Sequence, residues 1–131
     1  MNWTFLHNYT IPISGLTRTW APEWFIDTDG SVNVNVSPTA ASTATHFTAY
    51  TITAANAALT TWSTPIQPGI GPNYMDTFIV KVGSTYHAFT KNETMKYIEY
   101  ATASSLAGPY TLRKTGNWAG GSSFKVVSPW A

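Results

Sequence analysis

Cysteine is absent from the 131 residues, which excludes disulfides, thiolate metal sites and cysteine nucleophiles and leaves the redox compartment open. Charge is nearly as scarce. Asp, Glu, Lys and Arg make up 10% of the chain, against roughly 25% in soluble domains, and the formal net charge is +1. With no cluster of Lys or Arg there is no electrostatic footprint for nucleic acid or an anionic membrane, so neither partner is expected. No apolar run approaches transmembrane length, and Met1 is followed by Asn-Trp-Thr rather than by a basic and then apolar leader, so no signal peptide is visible. His46 and His87 have no Cys, His or acidic neighbour at metal-ligand spacing and read as structural, and neither a metal nor another cofactor is expected.

What is present is 44% apolar and 15% aromatic residues, enough for the core of one domain or part of one, with abundant Thr, Ser and Asn. Strands tolerate Thr well, so the chain reads as all-β with a polar, uncharged surface. Its clearest element runs from Asn73 to Thr90. Phe78, Val80 and Val82 alternate with Thr77, Lys81 and Gly83, Gly83-Ser84 can supply a two-residue turn, and Tyr86 to Thr90 returns. The expected register sets Val82 opposite Thr85, Val80 opposite His87 and Phe78 opposite Phe89, with Asp76 at the mouth.

An earlier copy of this hairpin exists. Glu23 to Ser37 overlays Asp76 to Thr90 without a gap at an offset of 53 (76 − 23), matching Glu23 with Asp76, Phe25 with Phe78 and Gly30 with Gly83. Ile52 to Trp62 then overlays Tyr100 to Tyr110 at an offset of 48 (100 − 52), with the difference assigned to a longer loop over Pro38 to Thr45. Each unit is therefore expected to be a hairpin, a third strand (Thr48 to Thr53; Lys96 to Thr102), a small-residue turn and a fourth strand near Trp62 or Tyr110. Four strands in about 50 residues is the size of a β-propeller blade. Asn2 to Ile13 has the content of an outer strand, and Phe124 to Val127 can begin another. Two blades do not close a ring of four to eight, so open edges are available for self-association.

At Trp20-Ala21-Pro22-Glu23-Trp24-Phe25 and Asn73-Tyr74-Met75-Asp76-Thr77-Phe78 the sequence resembles the five-bladed β-propeller glycoside hydrolases of family 43 and the related arabinofuranosidase group. Tyr97 to Leu106, followed by Gly108-Pro109-Tyr110, resembles that family's third strand, turn and fourth strand. The resemblance implies a partial propeller of four-stranded antiparallel blades: 1–19 the end of a preceding blade, 20–72 one blade, 73–115 the next and 116–131 a divergent tail. It also implies an enzyme: an inverting hydrolase of O-glycosidic bonds in arabinose- or xylose-containing plant polysaccharide. Of the family's three acids only Asp76 is matched, by the one that orients the general acid and tunes its pKa. The base is expected before Met1. No acid follows Glu99, so the general acid has no counterpart in the tail, and the isolated chain is expected to be weakly active or inactive. The alternative is a non-catalytic sugar-binding or self-assembling half-propeller.

If Asp76 and Glu23 begin the inner strands of neighbouring blades, their carboxyl groups can converge on one funnel at the spacing inverting enzymes use. An acid at either place can equally well hydrogen-bond the strand entrance. Trp20, Trp24 and Tyr74 flank these acids and offer faces for sugar C–H groups, with core packing as the alternative. Asp27 and Asp29 beside Gly30 are expected to shape a turn, with calcium binding as the lesser alternative. Asn2, Asn8, Asn35 and Asn92 each head an N-glycosylation pattern, Asn92 at a predicted turn, and this leans towards an extracellular, secreted protein.

Overall fold

A computed structural model describes residues 2–40 and 46–118. Parts of the loop 38–45 and of the tail 116–131, including the expected strand at 124–127, lie outside the described residues. Those described form an all-β fold without a helix. Strands β1 (Arg18–Ile26), β2 (Val32–Thr39) and β3 (Tyr50–Thr53) make one antiparallel sheet in sequential order. Strands β4 (Tyr74–Val82), β5 (Thr85–Asn92), β6 (Tyr97–Ala103) and β7 (Thr111–Lys114) make a second. The β4–β5 hairpin has the expected register: Phe78 faces Phe89, Val80 faces His87 and Val82 faces Thr85. On the first sheet the fourth-strand position carries no named strand among the described residues, but the isolated bridges Ala54–Trp62, Thr51–Ile66 and Thr48–Pro72. Pro65 lies between Trp62 and Ile66 and has no N–H to donate.

The two sheets stack face to face. Phe25 and Ala49 of the first sheet and its margin pack against Ile70, Tyr74, Ile79, Tyr86, Ala88 and Ala101, with the Phe25 and Tyr86 rings edge to face at 6.1 Å. Ala88 and Ala101 are fully buried, and their small side chains let the sheets approach. Burying a side chain such as Ile79 contributes about 2 kcal/mol. Asn33 lies opposite Phe25 on this face, and two cross-strand bonds line it: Thr53 Oγ1 donates to Asn33 Oδ1 at 2.6 Å and Thr51 Oγ1 to Asn35 Oδ1 at 2.7 Å. At one end Asp27 ties the sheets together, accepting from Lys81 Nζ at 2.7 Å and from Tyr86 OH at 2.5 Å. Gly30 N also closes the turn onto the Asp27 carbonyl, and Asp29 Oδ1 accepts from Ser31 N, which is the expected turn-forming role.

The first sheet's opposite face carries Val34, Val36 and Ile52 and is covered by Tyr9, Ile11 and Trp62. The outer strand expected over residues 2–13 does not form. That segment crosses the sheet's face, so its backbone meets no strand edge to pair with. The second sheet's opposite face keeps Phe78 (49%) and Val82 (64%) exposed beside a stack in which Tyr100 lies against both Phe89 and His87.

The ladders also correct the alignment of the two copies. Both first strands carry a bulge, between Trp20 and Glu23 and between Met75 and Phe78, and the left-handed residues within them are Ala21 (φ 50) and Asp76 (φ 53). Pairing Trp20–Ser37 with Met75–Lys91 gives offsets of 55 (75 − 20) and 54 (91 − 37), not 53. Gly30 and Gly83 favour a gapless match, but the first turn spans Asp27 to Ser31 and the second only Gly83-Ser84. Glu23 consequently corresponds to Phe78, and Ala21 stands where Asp76 stands. Farther on, Ala54–Trp62 matches the level of Ala103 and Tyr110, so the offset of 48 holds at Trp62 (110 − 62).

Candidate functional site

The entrance of β4 gathers most of the chemistry. The bulge lifts Asp76 out of the alternation, and a left-handed backbone is one that Asp tolerates better than most residues. Its carboxyl is half-buried. Lys91 Nζ lies 3.9 Å from Asp76 Oδ2 and 2.9 Å from Glu93 Oε2, and Lys96 also bonds Glu93. Burial pushes the Asp76 carboxyl above its ordinary pKa, Lys91 draws it back, and Glu93 adds to the rise. Glu93 itself is pushed up by burial, but its bonds to Lys96 and Lys91 outweigh that and hold it below the usual range. Thr77, the next bulge residue, shares a 2.8 Å hydroxyl bond with Thr90 across the ladder.

Strand β6 holds a buried acid that the sequence pattern does not reveal. Glu99 is 3% exposed, accepting from Tyr74 OH at 2.5 Å and from Gly116 N at 2.9 Å, with Asn92 Nδ2 at 3.4 Å. Burial, then the bond to Glu99, pushes the Tyr74 hydroxyl up to about 12. Glu99 thus fastens the start of β4 to the chain leaving β7. A single acid within Tyr-Ile-Glu-Tyr resembles a surface residue of an alternating strand. The only hint was that its neighbours on the same face, Tyr97 and Ala101, are apolar.

The residues expected from sequence are dispersed. Asp76 and Tyr74 share the entrance of β4, but Tyr74 is a core residue with its hydroxyl engaged, so it presents no free face to a sugar. Trp20 is 49% exposed and sits edge-on to Phe47 at 6.3 Å. Trp24 stacks at a tilt on Trp62, on the side of the first sheet turned away from the second, and does not flank Asp76. Glu23 is exposed opposite Asn35 and does not occupy the position equivalent to Asp76. His87 Nδ1 is 2.6 Å from Tyr100 OH in a stacked pair, a structural role as expected. Among the described residues no three His, Asp or Glu gather as a metal site, and no helix is long and apolar enough to cross a membrane. Asn35, 3% exposed, is closed to glycosylation in the folded chain; Asn92 does sit at a turn, its Oδ1 accepting from Thr94 N and Met95 N. No family model matches the chain, and the comparisons with curated proteins and with solved structures found no match.

Proposed function

We propose that the chain is part of a β-propeller glycoside hydrolase, acting outside the cell with inversion on arabinose- or xylose-containing plant polysaccharide. Asp76 is the carboxylate that orients the general acid and tunes its pKa. The supporting observation is the setting of Asp76. Both sheets bulge at the same place with a left-handed residue, yet only the second carries an acid there, half-buried and pushed towards neutrality. A strained backbone position that presents a perturbed carboxyl is a functional-site candidate. Two antiparallel meanders stacked in chain order also suit successive blades. Glu23 does not stand opposite Asp76 in this arrangement, so the base and the general acid belong to other blades and the isolated chain turns over weakly or not at all.

The test is hydrolysis of aryl arabinofuranosides and xylosides by the purified chain. The same sample is titrated with arabinoxylan oligosaccharides. Asp76→Asn is expected to lower any turnover by about 100-fold or more while leaving the fold intact. Turnover undiminished in Asp76→Asn would refute the role of Asp76. Neither turnover nor oligosaccharide binding by a folded sample would refute the carbohydrate reading.

A second reading, a self-assembling half-propeller without catalysis, is favoured by the exposed apolar face around Phe78, Val80 and Val82. Sedimentation should then show association that Val82→Lys abolishes, whereas a strictly monomeric unaltered chain would rule this reading out.

A further inference from the structure

Lys91 stands between two carboxylates and is paired with one of them. Its Nζ is 2.9 Å from Glu93 Oε2 but 3.9 Å from Asp76 Oδ2, which is beyond hydrogen-bond reach. No hydrogen bond among the described residues reaches the Asp76 carboxyl. Glu93 is the better anchored of the two acids. Its backbone N–H donates to the Asn73 carbonyl at 2.8 Å, and Lys96 bonds its Oε1, which leaves Oε2 to Lys91.

Access to water decides which acid keeps the ammonium. Glu93 Oε2 is closed to solvent, with no hydrogen-bond partner to replace Lys91. The Asp76 side chain is 33% exposed, so water can solvate its carboxyl in place of a cation. Moving Lys91 across would therefore strand a buried carboxylate oxygen, whereas leaving it on Glu93 costs Asp76 only a contact that water supplies.

We propose that Glu93 is a positioning residue: it retains the Lys91 ammonium and so leaves Asp76 without a bonded cation, open to a hydrogen-bond donor from outside the two sheets. The identity of that donor rests on the role given to Asp76 above. It is the protonated carboxyl of the general acid, whose O–H donates to Asp76. An ammonium bonded there would take that place and cancel the charge that keeps the acid protonated.

The charged groups that act on Asp76 are Lys91 and Glu93, with Lys96 reaching it through Glu93. The full chain, labelled with ¹³C, is titrated with acid in the absence of any sugar, and the side-chain carboxyl signals of Asp76 and Glu93 are followed. Failure of the hydrolysis assay would leave this result standing, and the reverse holds too. In the unaltered chain Asp76 is expected to titrate above the ordinary aspartate value and Glu93 below the ordinary glutamate value. Lys91→Met is then made with and without Glu93→Gln. Loss of the ammonium should raise the Asp76 midpoint in both backgrounds, and by more in Glu93→Gln, where Lys91 is released to Asp76. Removing the Glu93 charge shifts both members of that background alike, so the difference between the two rises reports the transfer. Equal rises would overturn the proposal. So would an unaltered chain in which Asp76 titrates below its ordinary value, a measurement that needs no variant to fold.

Discussion

Asp27 holds the two sheets together only while it is ionised, and replacing it by Asn should expose that dependence. The carboxylate accepts from Lys81 Nζ at 2.7 Å, from Tyr86 OH at 2.5 Å and from Thr28 N at 2.6 Å. Burial pushes its pKa up, but these bonds outweigh burial and lower it from 3.8 to about 2. Because the folded value is depressed, the stabilisation is fully present above the unfolded value and is lost as pH falls through the folded one. The window therefore runs from about pH 4 down to about pH 2. A shift of that size corresponds to at most about 2.5 kcal/mol, and solvent screening at the sheet end reduces the expectation to about 1–2 kcal/mol. Urea unfolding of Asp27→Asn should show that loss at pH 7, and most of the gap to the unaltered chain should close at pH 2. In a double-mutant cycle with Lys81→Met, the coupling should be present at neutral pH and vanish in acid. A gap of the same size at both pH values, or none at pH 7, would refute the assignment.

Backbone geometry supplies two further expectations. Ala21 has φ 50, a conformation that costs an L-residue about 1–2 kcal/mol, so Ala21→Gly should raise stability by roughly 1 kcal/mol in chemical denaturation; no gain would argue against the bulge. Gly108→Ala should be costly, about 3 kcal/mol or more, since a Cβ there meets the Pro68 carbonyl oxygen at 2.2 Å on a left-handed backbone. Gly83→Ala, left-handed but in open space, should cost only about 1 kcal/mol, and equal effects at the two sites would contradict the close approach.

The β4–β5 hairpin was legible because its signals agree: alternation on both arms and a two-residue turn that admits one register. The gapless match misplaces its counterpart by two residues on the first strand and by one on the second. Glycine matched glycine, but turn length and bulge position are set by backbone conformation, and Ala21 adopts one that Ala disfavours. The offset of 55 on the first strand keeps the parity of side-chain facing but moves Glu23 from Asp76 to Phe78, whereas the offset of 54 on the returning strand reverses that parity. Asp27 was legible as a turn residue, but not as the link to Lys81 and Tyr86, which lie 54 and 59 residues away. Glu99 escaped notice for the same reason, with Tyr74 25 residues upstream. Polar partners so distant leave no local pattern.

The Asn–Thr bonds on the inner face of β2 have a consequence for misfolding. The alternation of Val and Asn along this strand forbids a slip of one residue, which would turn amides towards Ile52, but it is blind to a slip of two. Sliding β2 by two against β3 brings Asn35 opposite Ala49, or Asn33 opposite Ala55, and strands a buried amide carbonyl at a cost of about 1–3 kcal/mol. Thr51 and Thr53 therefore act as a combination lock. They give up apolar contact between the sheets, and in return the degenerate alignments of a repetitive strand become unequal in energy before the second sheet docks.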